Sequence, residues 1–255
     1  MTCLWQTGIT MNSAVEYQAK NFDIFRKGWL RMAQLVTTEE AISKIQDGMT
    51  IMVGGFIGCG IPEQLLEAIG QKQAKELTII ANDTGILGDA MSQLIVKRCA
   101  RKVIASHIGT NKETGRQMTA GELEVQLVPQ GTLIEQIRAA GSGLGGFLTP
   151  TGIGTVVEEG KQKLVINSTE YLLELPIRAD IALLNAYKAD KAGNLVYRRS
   201  ARNFNPIIAM AADIIIAQVD HILEDGEIDP DEVMTPGIFV DYLVQKQPRE
   251  VLDLG

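Results

Sequence analysis

The feature that most constrains the fold is the stretch from Asp47 to Pro62, which reads DGMTIMVGGFIGCGIP. Residues 50–53 form a short apolar run of the length that a buried strand needs. Four glycines then fall within the seven positions 54–60, and Pro62 opens a helical pattern that ends at Gly70. Proline suits the first turn of a helix because its missing N–H would have no intrahelical partner there. The stretch therefore predicts a strand, a glycine loop and a helix start in succession.

This glycine loop favours the binding of an anion. Glycines let backbone N–H groups approach a ligand closely, and a helix start adds unpaired N–H groups and a partial positive charge. Such a loop suits a phosphate, a carboxylate or an oxyanion that forms during a reaction. The alternative is a turn whose glycines serve only tight packing, and spacing by itself leaves the two interpretations about equal. The loop consists of Gly54, Gly55, Phe56, Ile57, Gly58, Cys59 and Gly60.

Three polar residues lie at the ends of other predicted elements. A strand over residues 77–81 runs into a polar turn that begins at Asn82, and Asn205 opens a short helix with Pro206. Ligands of open α/β sheets bind at the carboxyl ends of the strands, so Asn82 is a candidate for a substrate cleft. Asn205 is a second candidate for this cleft. Gln130 lies in a second strand-to-helix turn, where its amide can donate to a developing oxyanion or hold a carboxylate.

The remaining pattern predicts an α/β fold. Capping boxes beginning at Thr37 and Thr132 predict two more helix starts. Repeated strand-turn-helix units indicate a mainly parallel sheet with helices on both faces. Residues 163–166 and 171–174 flank a turn and predict a small hairpin insertion, and residues 233–244 predict an amphipathic tail that packs on the domain.

Two loops are also predicted. Residues 108–116 are expected to be a loop whose Lys112 and Arg116 are solvated, with phosphate contact as the weaker alternative. Residues 141–146 satisfy G-x-G-x-x-G, but they follow a helix and run toward Pro150, so we reject a nicotinamide site. The segment to residue 155 is better interpreted as a lid or a partner-contacting loop.

Composition excludes several classes of protein. The net charge of −7 argues against nucleic-acid binding, which needs a basic face. Cys3, Cys59 and Cys99 are too few and too scattered for a disulfide framework or a zinc site, which favours a reducing, cytoplasmic location. A nucleophilic Cys59 is disfavoured because no base is recognisable nearby. No apolar run approaches the ~20 residues of a membrane span.

Several motifs together resemble one family. The pattern DG, GGF, G and P between Asp47 and Pro62 is similar to the signature of the first subunit of the family I coenzyme A-transferases. Further matches follow in order at residues 129–132 (PQGT), 141–155 and 200–205 (SARNFN). The likeness runs from about Met32 to the mid-240s, and it is strongest to the acetate/acetoacetate, or 3-oxoacid, branch.

The resemblance implies a chemistry. Such an enzyme moves coenzyme A between a short-chain acyl-CoA or 3-oxoacyl-CoA and a free carboxylate such as acetate or acetoacetate. The resemblance implies a glutamate nucleophile, a coenzyme A thioester as substrate, and no metal or permanently bound cofactor. It also implies that the loop 54–60 contacts coenzyme A and that Gln130 faces the reacting acyl group.

The catalytic glutamate of the family lies in a Ser-Glu-Asn-Gly motif on the second subunit, and this chain has no such motif. We therefore expect an alpha subunit whose beta partner supplies the glutamate, in a heterotetramer. Two alternatives stay open: a sugar-phosphate isomerase-like enzyme, and a non-catalytic module that senses an acyl-CoA or a phosphorylated metabolite. Residues 1–31 are interpreted as a poorly ordered extension before a native start at Met32, and residues 32–255 as one CoA-transferase domain.

Overall fold

The computed structural model describes residues 32–248, so the predictions made for residues 1–31 lie outside the described part of the chain. The α-helices are α1 (Thr38–Ser43), α2 (Glu63–Lys72), α3 (Ala90–Val96), α4 (Lys112–Thr119), α5 (Gln130–Gly141) and α6 (Asn205–Ile208). The strands are β1 (Gln34–Leu35), β2 (Thr50–Val53), β3 (Leu77–Asp83), β4 (Ala100–His107), β5 (Glu124–Leu127), β6 (Phe147–Thr149), β7 (Lys163–Ile166), β8 (Thr169–Glu174), β9 (Ala179–Asp190), β10 (Leu195–Val196), β11 (Ala212–Leu223) and β12 (Tyr242–Gln245).

The large sheet is mainly parallel, as the sequence predicts. Its strand order is β1-β12-β11-β9-β2-β3-β4-β5, and only β10 pairs antiparallel, with β9. Strands β2 to β5 lie side by side in chain order, whereas β9, β11 and β12 follow one another on the other side of β2. The strand order therefore reverses between β2 and β9, and such a reversal opens a crevice at the carboxyl ends of the strands. The glycine loop leaves β2 at this point.

Helices cover both faces of the sheet because its central strands are apolar on both sides. In β2, Ile51 and Val53 face a cluster that includes buried residues of α1, α2 and α3. Met52 faces the opposite cluster, which includes buried residues of α5 and α6. Two layers of core therefore fix β2 and with it the start of the glycine loop. No helix within residues 32–248 is long and apolar enough to cross a membrane.

The predicted helix boundaries were right in one case and wrong in two. Thr37 forms the predicted capping box, since Thr37 Oγ1 accepts from Glu40 N at 3.2 Å and Glu40 Oε2 accepts from Thr37 N at 2.9 Å. The second box is wrong: α5 begins at Gln130, so Thr132 already lies inside the first turn. Helix α2 also continues past Gly70, because an interior glycine weakens a helix without ending it.

One predicted loop contains a helix, and the predicted tail joins the central sheet. Helix α4 begins inside the segment expected to be a loop, and Asn111 caps it by accepting from Glu113 N at 3.1 Å. Only Thr114 and Gln117 of this helix are buried, so it lacks the apolar period that reveals a helix. The tail at 233–244, expected to pack on the domain, does so by leading into β12, which adds to the central sheet between β1 and β11.

The predicted hairpin insertion is present and has a third strand. Asn167 and Ser168 join β7 to β8 with φ of 50° and 64°, a conformation that fits a tight hairpin turn. Strand β6, from the segment expected to be a lid or a partner-contacting loop, pairs with β8. Buried Glu174 fastens this small sheet to α5, since it accepts from Gln136 at 2.9 Å and pairs with Lys161 at 2.6 Å.

Candidate active site

The glycine loop folds back on itself in a tight turn. Phe56 N donates to Cys59 O at 3.0 Å and Cys59 N donates to Phe56 O at 2.9 Å. The two central residues, Ile57 and Gly58, have φ of 44° and 78°. Positive φ is costly for a β-branched residue, so the turn holds Ile57 in a strained conformation. The side chains of Phe56 and Ile57 remain exposed at the tip of the loop.

A buried carboxylate holds the strained turn in place. Asp83 Oδ2 accepts from Ile57 N at 2.8 Å and from Asn82 Nδ2 at 2.9 Å, and Asp83 Oδ1 accepts from Gly85 N at 2.8 Å. Asp83 is the last residue of β3 and is buried. Its position at the carboxyl end of the strand next to β2 brings its carboxylate under the loop. Sequence reasoning selected its neighbour Asn82 and missed this role.

Asn82 lies below the loop and its polar groups face the protein. Ser106 Oγ is 2.8 Å from Asn82 O and 3.0 Å from Asn82 Oδ1. Together with Gly55 and Asp83, Asn82 also lines a small cavity directly behind the loop. The structure therefore places Asn82 with the loop, and its contact with a substrate remains a prediction.

Asn205 connects the two ends of the loop to β9. Its Nδ2 donates to Gly60 O at 3.0 Å and to Ala201 O at 2.9 Å, and its Oδ1 accepts from Asn185 N at 3.0 Å. A Cβ atom added to Gly54 would overlap the amide of Asn205. Asn205 is fully buried, so it acts on the loop from within the protein.

The start of α2 is capped from β11. Gln218 Oε1 accepts from Gln64 N at 2.9 Å and from Leu65 N at 3.4 Å, and Gln218 Nε2 donates to Asn185 Oδ1 at 3.1 Å. The expectation that this helix start offers its N–H groups to a ligand is therefore wrong for these two groups. Gln218 is the one polar residue in the apolar stretch 214–219 of β11, and its burial and its contact with α2 appear only in the folded structure.

The loop itself retains unpaired donors. The backbone N–H groups of Gly58 and Gly60 donate to no atom of the described residues, and both glycines are partly exposed. Their φ values of 78° and 74° are accessible to glycine at little cost. Donors that are fixed before a ligand arrives suit a carbonyl oxygen that becomes an oxyanion.

Cys59 joins the loop to a 3-10 helix at Arg199–Arg202. Its Sγ lies 3.1 Å from Ser200 Oγ, and its carbonyl oxygen accepts from Asn203 Nδ2 at 3.0 Å. Both cysteines in the described range, Cys59 and Cys99, are free. Within residues 32–248 no group of histidine, cysteine, aspartate and glutamate side chains is arranged to hold a metal ion.

A family model for coenzyme A transferase matches residues 35–246. The chain belongs to the coenzyme A transferase family. This CoA-transferase is 56% identical over 214 residues to the alpha chain of the acetate CoA-transferase of Escherichia coli K12, a match that covers 84% of this chain and 97% of that protein. It is 46% identical over 214 residues to the acetoacetyl-CoA:acetate/butyrate CoA transferase alpha subunit of Clostridium acetobutylicum, a match that covers 84% and 98% of the two chains.

Solved structures share the fold at lower identity. The apoenzyme of an acyl-CoA transferase of Escherichia coli O157:H7 matches with a TM-score of 0.76 at 22% identity, over 84% of this chain and 47% of that chain. This CoA-transferase thus spans about half the length of that protein. Glutaconate coenzyme A-transferase of Acidaminococcus fermentans matches with a TM-score of 0.74 at 20% identity, over 84% and 75% of the two chains. These matches confirm the predicted fold class.

Gln130 stands apart from the other predicted site residues of this CoA-transferase. It follows edge strand β5, three strands away from β2, which corresponds to about 14 Å across the sheet. Its side chain is exposed and makes no hydrogen bond within the described part of the chain. The structure therefore brings residues 54–60, Asn82 and Asn205 together, and it places Gln130 farther along the same edge of the sheet.

The site offers donors but no free carboxylate. Asp83 is the one acidic residue that lines the cavity behind the loop in the described structure, and both of its oxygens already accept hydrogen bonds. A nucleophile needs an accessible lone pair, which this buried side chain does not present. Within the described structure, the cavity behind the loop therefore presents no acidic side chain with a free oxygen.

Proposed function

We propose that this CoA-transferase is the alpha subunit of a two-subunit enzyme that moves coenzyme A between a short-chain acyl-CoA or 3-oxoacyl-CoA and a free carboxylate such as acetate or acetoacetate. The names of its relatives, which are alpha subunits acting on acetate or acetoacetyl-CoA, support this substrate class. The observation that carries the proposal is the glycine loop held by Asp83, which has free N–H groups at Gly58 and Gly60. Within the described structure, the buried Asp83 is the one acidic residue that lines the cavity behind this loop. Coenzyme A enters as the substrate thioester.

The proposed reaction needs both subunits. The beta subunit supplies a glutamate carboxylate that attacks the thioester carbonyl, the carbonyl oxygen becomes an oxyanion, and the coenzyme A thiolate leaves to give a mixed anhydride. The thiolate then attacks the glutamyl carbonyl, which releases the first carboxylate and leaves a glutamyl-CoA thioester. The second carboxylate repeats these steps in reverse. The loop 54–60 contacts the coenzyme A thioester, and its free N–H groups favour the oxyanion over the ground-state carbonyl.

The proposed assembly is a heterotetramer in the cytoplasm. Phe56 and Ile57 are 46% and 38% exposed at the tip of the loop, which suits a cleft that a partner completes. A relative from Bacillus subtilis is named as one subunit of a probable succinyl-CoA:3-ketoacid coenzyme A transferase, and it is 48% identical over 85% of this chain and 91% of that protein. The free thiols of Cys59 and Cys99 support a reducing compartment.

Gln130 is proposed to support the acyl group from the far side of the cleft. Its exposed amide has no internal partner within residues 32–248, so it is available to a carboxylate or an oxyanion held between the subunits. We expect Gln130→Ala to lower kcat by about tenfold and to leave the melting temperature unchanged. Gln126→Ala, at an exposed position of the preceding strand, is the control. An unchanged kcat in Gln130→Ala would contradict the proposal that Gln130 supports the acyl group.

The direct test is coenzyme A transfer from acetoacetyl-CoA to acetate. The chain is assayed alone and after co-production with a beta-type CoA-transferase subunit, and borohydride is added to trap a glutamyl-CoA thioester. We expect transfer only in the pair, with the trapped glutamate on the beta subunit. Transfer by the single chain would place a nucleophile on this chain instead. Binding of acyl-CoA with no transfer in either sample would favour a sensing module.

A further inference from the structure

Asn185 lies where the strand order of the large sheet reverses, beside the start of the glycine loop. Strand β9 pairs with β2 as far as Val53 and Leu183, and Gly54 N then donates to Leu183 O at 3.0 Å. Asn185 follows two residues later on β9, so its side chain lies on the same face of the sheet as that of Leu183. On the other side of β9 it is in register with Gln218 of β11. Asn185 is therefore placed between the loop and the residue that caps α2.

Asn185 contacts both of the side chains that hold the loop and the start of α2. Its backbone N–H donates to Asn205 Oδ1 at 3.0 Å, and its side-chain Oδ1 accepts from Gln218 Nε2 at 3.1 Å. Among the described residues it is the one that hydrogen-bonds to both. Asn205 binds Gly60 O, and Gln218 binds Gln64 N, only four positions farther along the chain. A change at Asn185 can therefore act on the loop from both of these contacts.

The oxygen of Asn185 decides which end of the Gln218 amide faces the helix. A glutamine amide has one acceptor end and one donor end. The acceptor, Oε1, binds the N–H groups of Gln64 and Leu65 at 2.9 and 3.4 Å. Because Gln218 is fully buried, its donor end also needs a partner, and Asn185 Oδ1 supplies it. A donor at position 185 would instead attract the oxygen of Gln218 and turn its NH2 group toward the helix N–H groups.

The first turn of α2 has a further uncharged contact, with the residues after β12. Gln64 Nε2 donates to Gln247 O at 2.7 Å, and Gln64 Oε1 accepts from Gln247 N at 3.0 Å. The hydrogen bonds that link Asn185, Gln218 and Gln64 are thus all made by amide groups, which carry no charge at any ordinary pH. A charge introduced at position 185 therefore has no opposite charge among these partners unless a second substitution supplies one.

We propose that Asn185 is a positioning residue for coenzyme A transfer, which acts through Gln218 and Asn205. By fixing these two side chains it keeps the free N–H groups of Gly58 and Gly60 aimed at the reacting carbonyl. The proposal rests on the proposed function, because it assigns a role in the same reaction. Oxyanion donors act only at close range, and a misplacement of about 1 Å can cost about a hundredfold in rate. Loss of this alignment therefore lowers kcat more than it raises KM.

The first experiment reverses the polarity of the contact between positions 185 and 218. Transfer from acetoacetyl-CoA to acetate is assayed in the complex with the beta subunit. Asn185→Lys presents a donor to Gln218, and we expect kcat to fall at least about tenfold while KM stays within about threefold. Position 185 is half-buried, so the introduced ammonium group can remain partly hydrated.

A second substitution should restore the contact. Gln218→Glu supplies an acceptor-only side chain, whose two oxygens can bind the introduced ammonium group and the helix N–H groups together. We expect Asn185→Lys/Gln218→Glu to recover kcat to within about threefold of wild type. Gln71→Lys adds the same charge at an exposed position of α2 and controls for charge alone. Wild-type kcat in Asn185→Lys, or strictly additive effects in the double variant, would overturn the positioning role.

The second experiment does not depend on transfer. Hydrogen exchange at the amides of Gln64 and Leu65 reports whether Gln218 still caps α2, and we expect it to be at least about tenfold faster in Asn185→Lys and restored in the double variant. Asn185→Ala removes the oxygen without adding a charge, should also speed exchange, and replaces the lysine variant if that variant does not fold.

The two measurements separate this role from the proposed function. No transfer by the wild-type pair would contradict the proposed function, while exchange that is restored in the double variant would still support Asn185 as the residue that positions the helix start. Faster exchange with an unchanged kcat would show a purely structural contact and overturn the positioning role. Unaltered exchange in both Asn185→Lys and Asn185→Ala would overturn the link to Gln218.

Discussion

The side-chain amide of Asn205 occupies the space that a Cβ atom on Gly54 would need. The same amide donates to Gly60 O and Ala201 O, and it accepts from Asn185 N. Gly54, which starts the loop, and Asn205 therefore pack directly against each other. Because a buried amide with three hydrogen bonds cannot move aside cheaply, glycine is required at position 54.

Gly54→Ala should destabilise the protein and disable the loop. The added methyl group must displace the Asn205 amide, which we expect to lower the free energy of unfolding by about 1–3 kcal/mol and to reduce transfer in the complex at least about tenfold. Gly115→Ala is the matched control, since no atom lies within 4 Å of its Cβ position in α4. Denaturant unfolding and transfer assays measure both variants. Wild-type stability in Gly54→Ala would show that the amide can move.

Asn205→Asp should make stability depend on pH. The introduced carboxylate is buried and faces the carbonyl oxygens of Gly60 and Ala201. Burial and these two oxygens each raise its folded-state pKa above the unfolded value of about 3.9. Relative to wild type, the variant is therefore most stable below about pH 4 and loses stability as the pH rises from the unfolded pKa through the raised pKa. Melting temperatures from pH 4 to 8 measure this loss against wild type. Asn205→Ala, with no titratable group, should show a constant difference, and a constant difference in Asn205→Asp would contradict the argument.

Local signals predicted the strand and the loop well. Residues 50–53 form β2 as predicted, because a short apolar run between turn signals has few other ways to be buried. The Thr37 capping box formed because both of its partners lie within one turn of sequence. The Thr132 box failed because Pro129 starts α5 earlier and leaves Thr132 inside the helix. Boundaries of this kind depend on one or two residues.

The long-range contacts that hold the glycine loop and the start of α2 were not predictable from sequence. Gln218 and Asn185 lie on two neighbouring strands, and their link to α2 exists only once β9 and β11 pair. Strand β12 has four residues and is recognisable only from its position between β1 and β11. Asp83 looked like part of a polar turn, and its role follows from the loop that folds over it. In each case the partner is distant in sequence.

Gln218→Leu should weaken the start of α2. Leucine keeps the volume but leaves the N–H groups of Gln64 and Leu65 without their acceptor, so we expect a loss of about 1–3 kcal/mol in the free energy of unfolding. Gln71→Leu, at an exposed position of the same helix, should stay within about 0.5 kcal/mol of wild type. Urea unfolding monitored by circular dichroism compares the two. Equal effects would mean that Gln218 does not act as a cap.

Asp83→Asn should release the strained turn. An amide accepts at only one of its two ends, so at least one of the three N–H donors at Asp83 loses its acceptor. We expect transfer to fall at least about tenfold and the melting temperature to decrease. Ile57→Gly removes the strain at φ 44°, so adding it to Asp83→Asn should recover part of the melting temperature. Calorimetry of the four proteins of this double-mutant cycle tests the link, and strictly additive changes would refute it.

The acid sensitivity of the fold should depend on Arg116. Its guanidinium hydrogen-bonds Glu113 and Glu122, holding the pKa of Glu113 at about 2 and lowering the pKa of Glu122. A carboxylate with a lowered folded-state pKa contributes stability above its unfolded pKa, near 4.5, and loses that contribution as the pH falls toward 2. Arg116→Met should therefore lower the melting temperature at pH 7 and flatten its fall between pH 4.5 and 2. Because these groups are at the surface, 1 M NaCl should reduce the difference between the two proteins. Parallel melting curves across this pH range would show that the cluster adds nothing to stability.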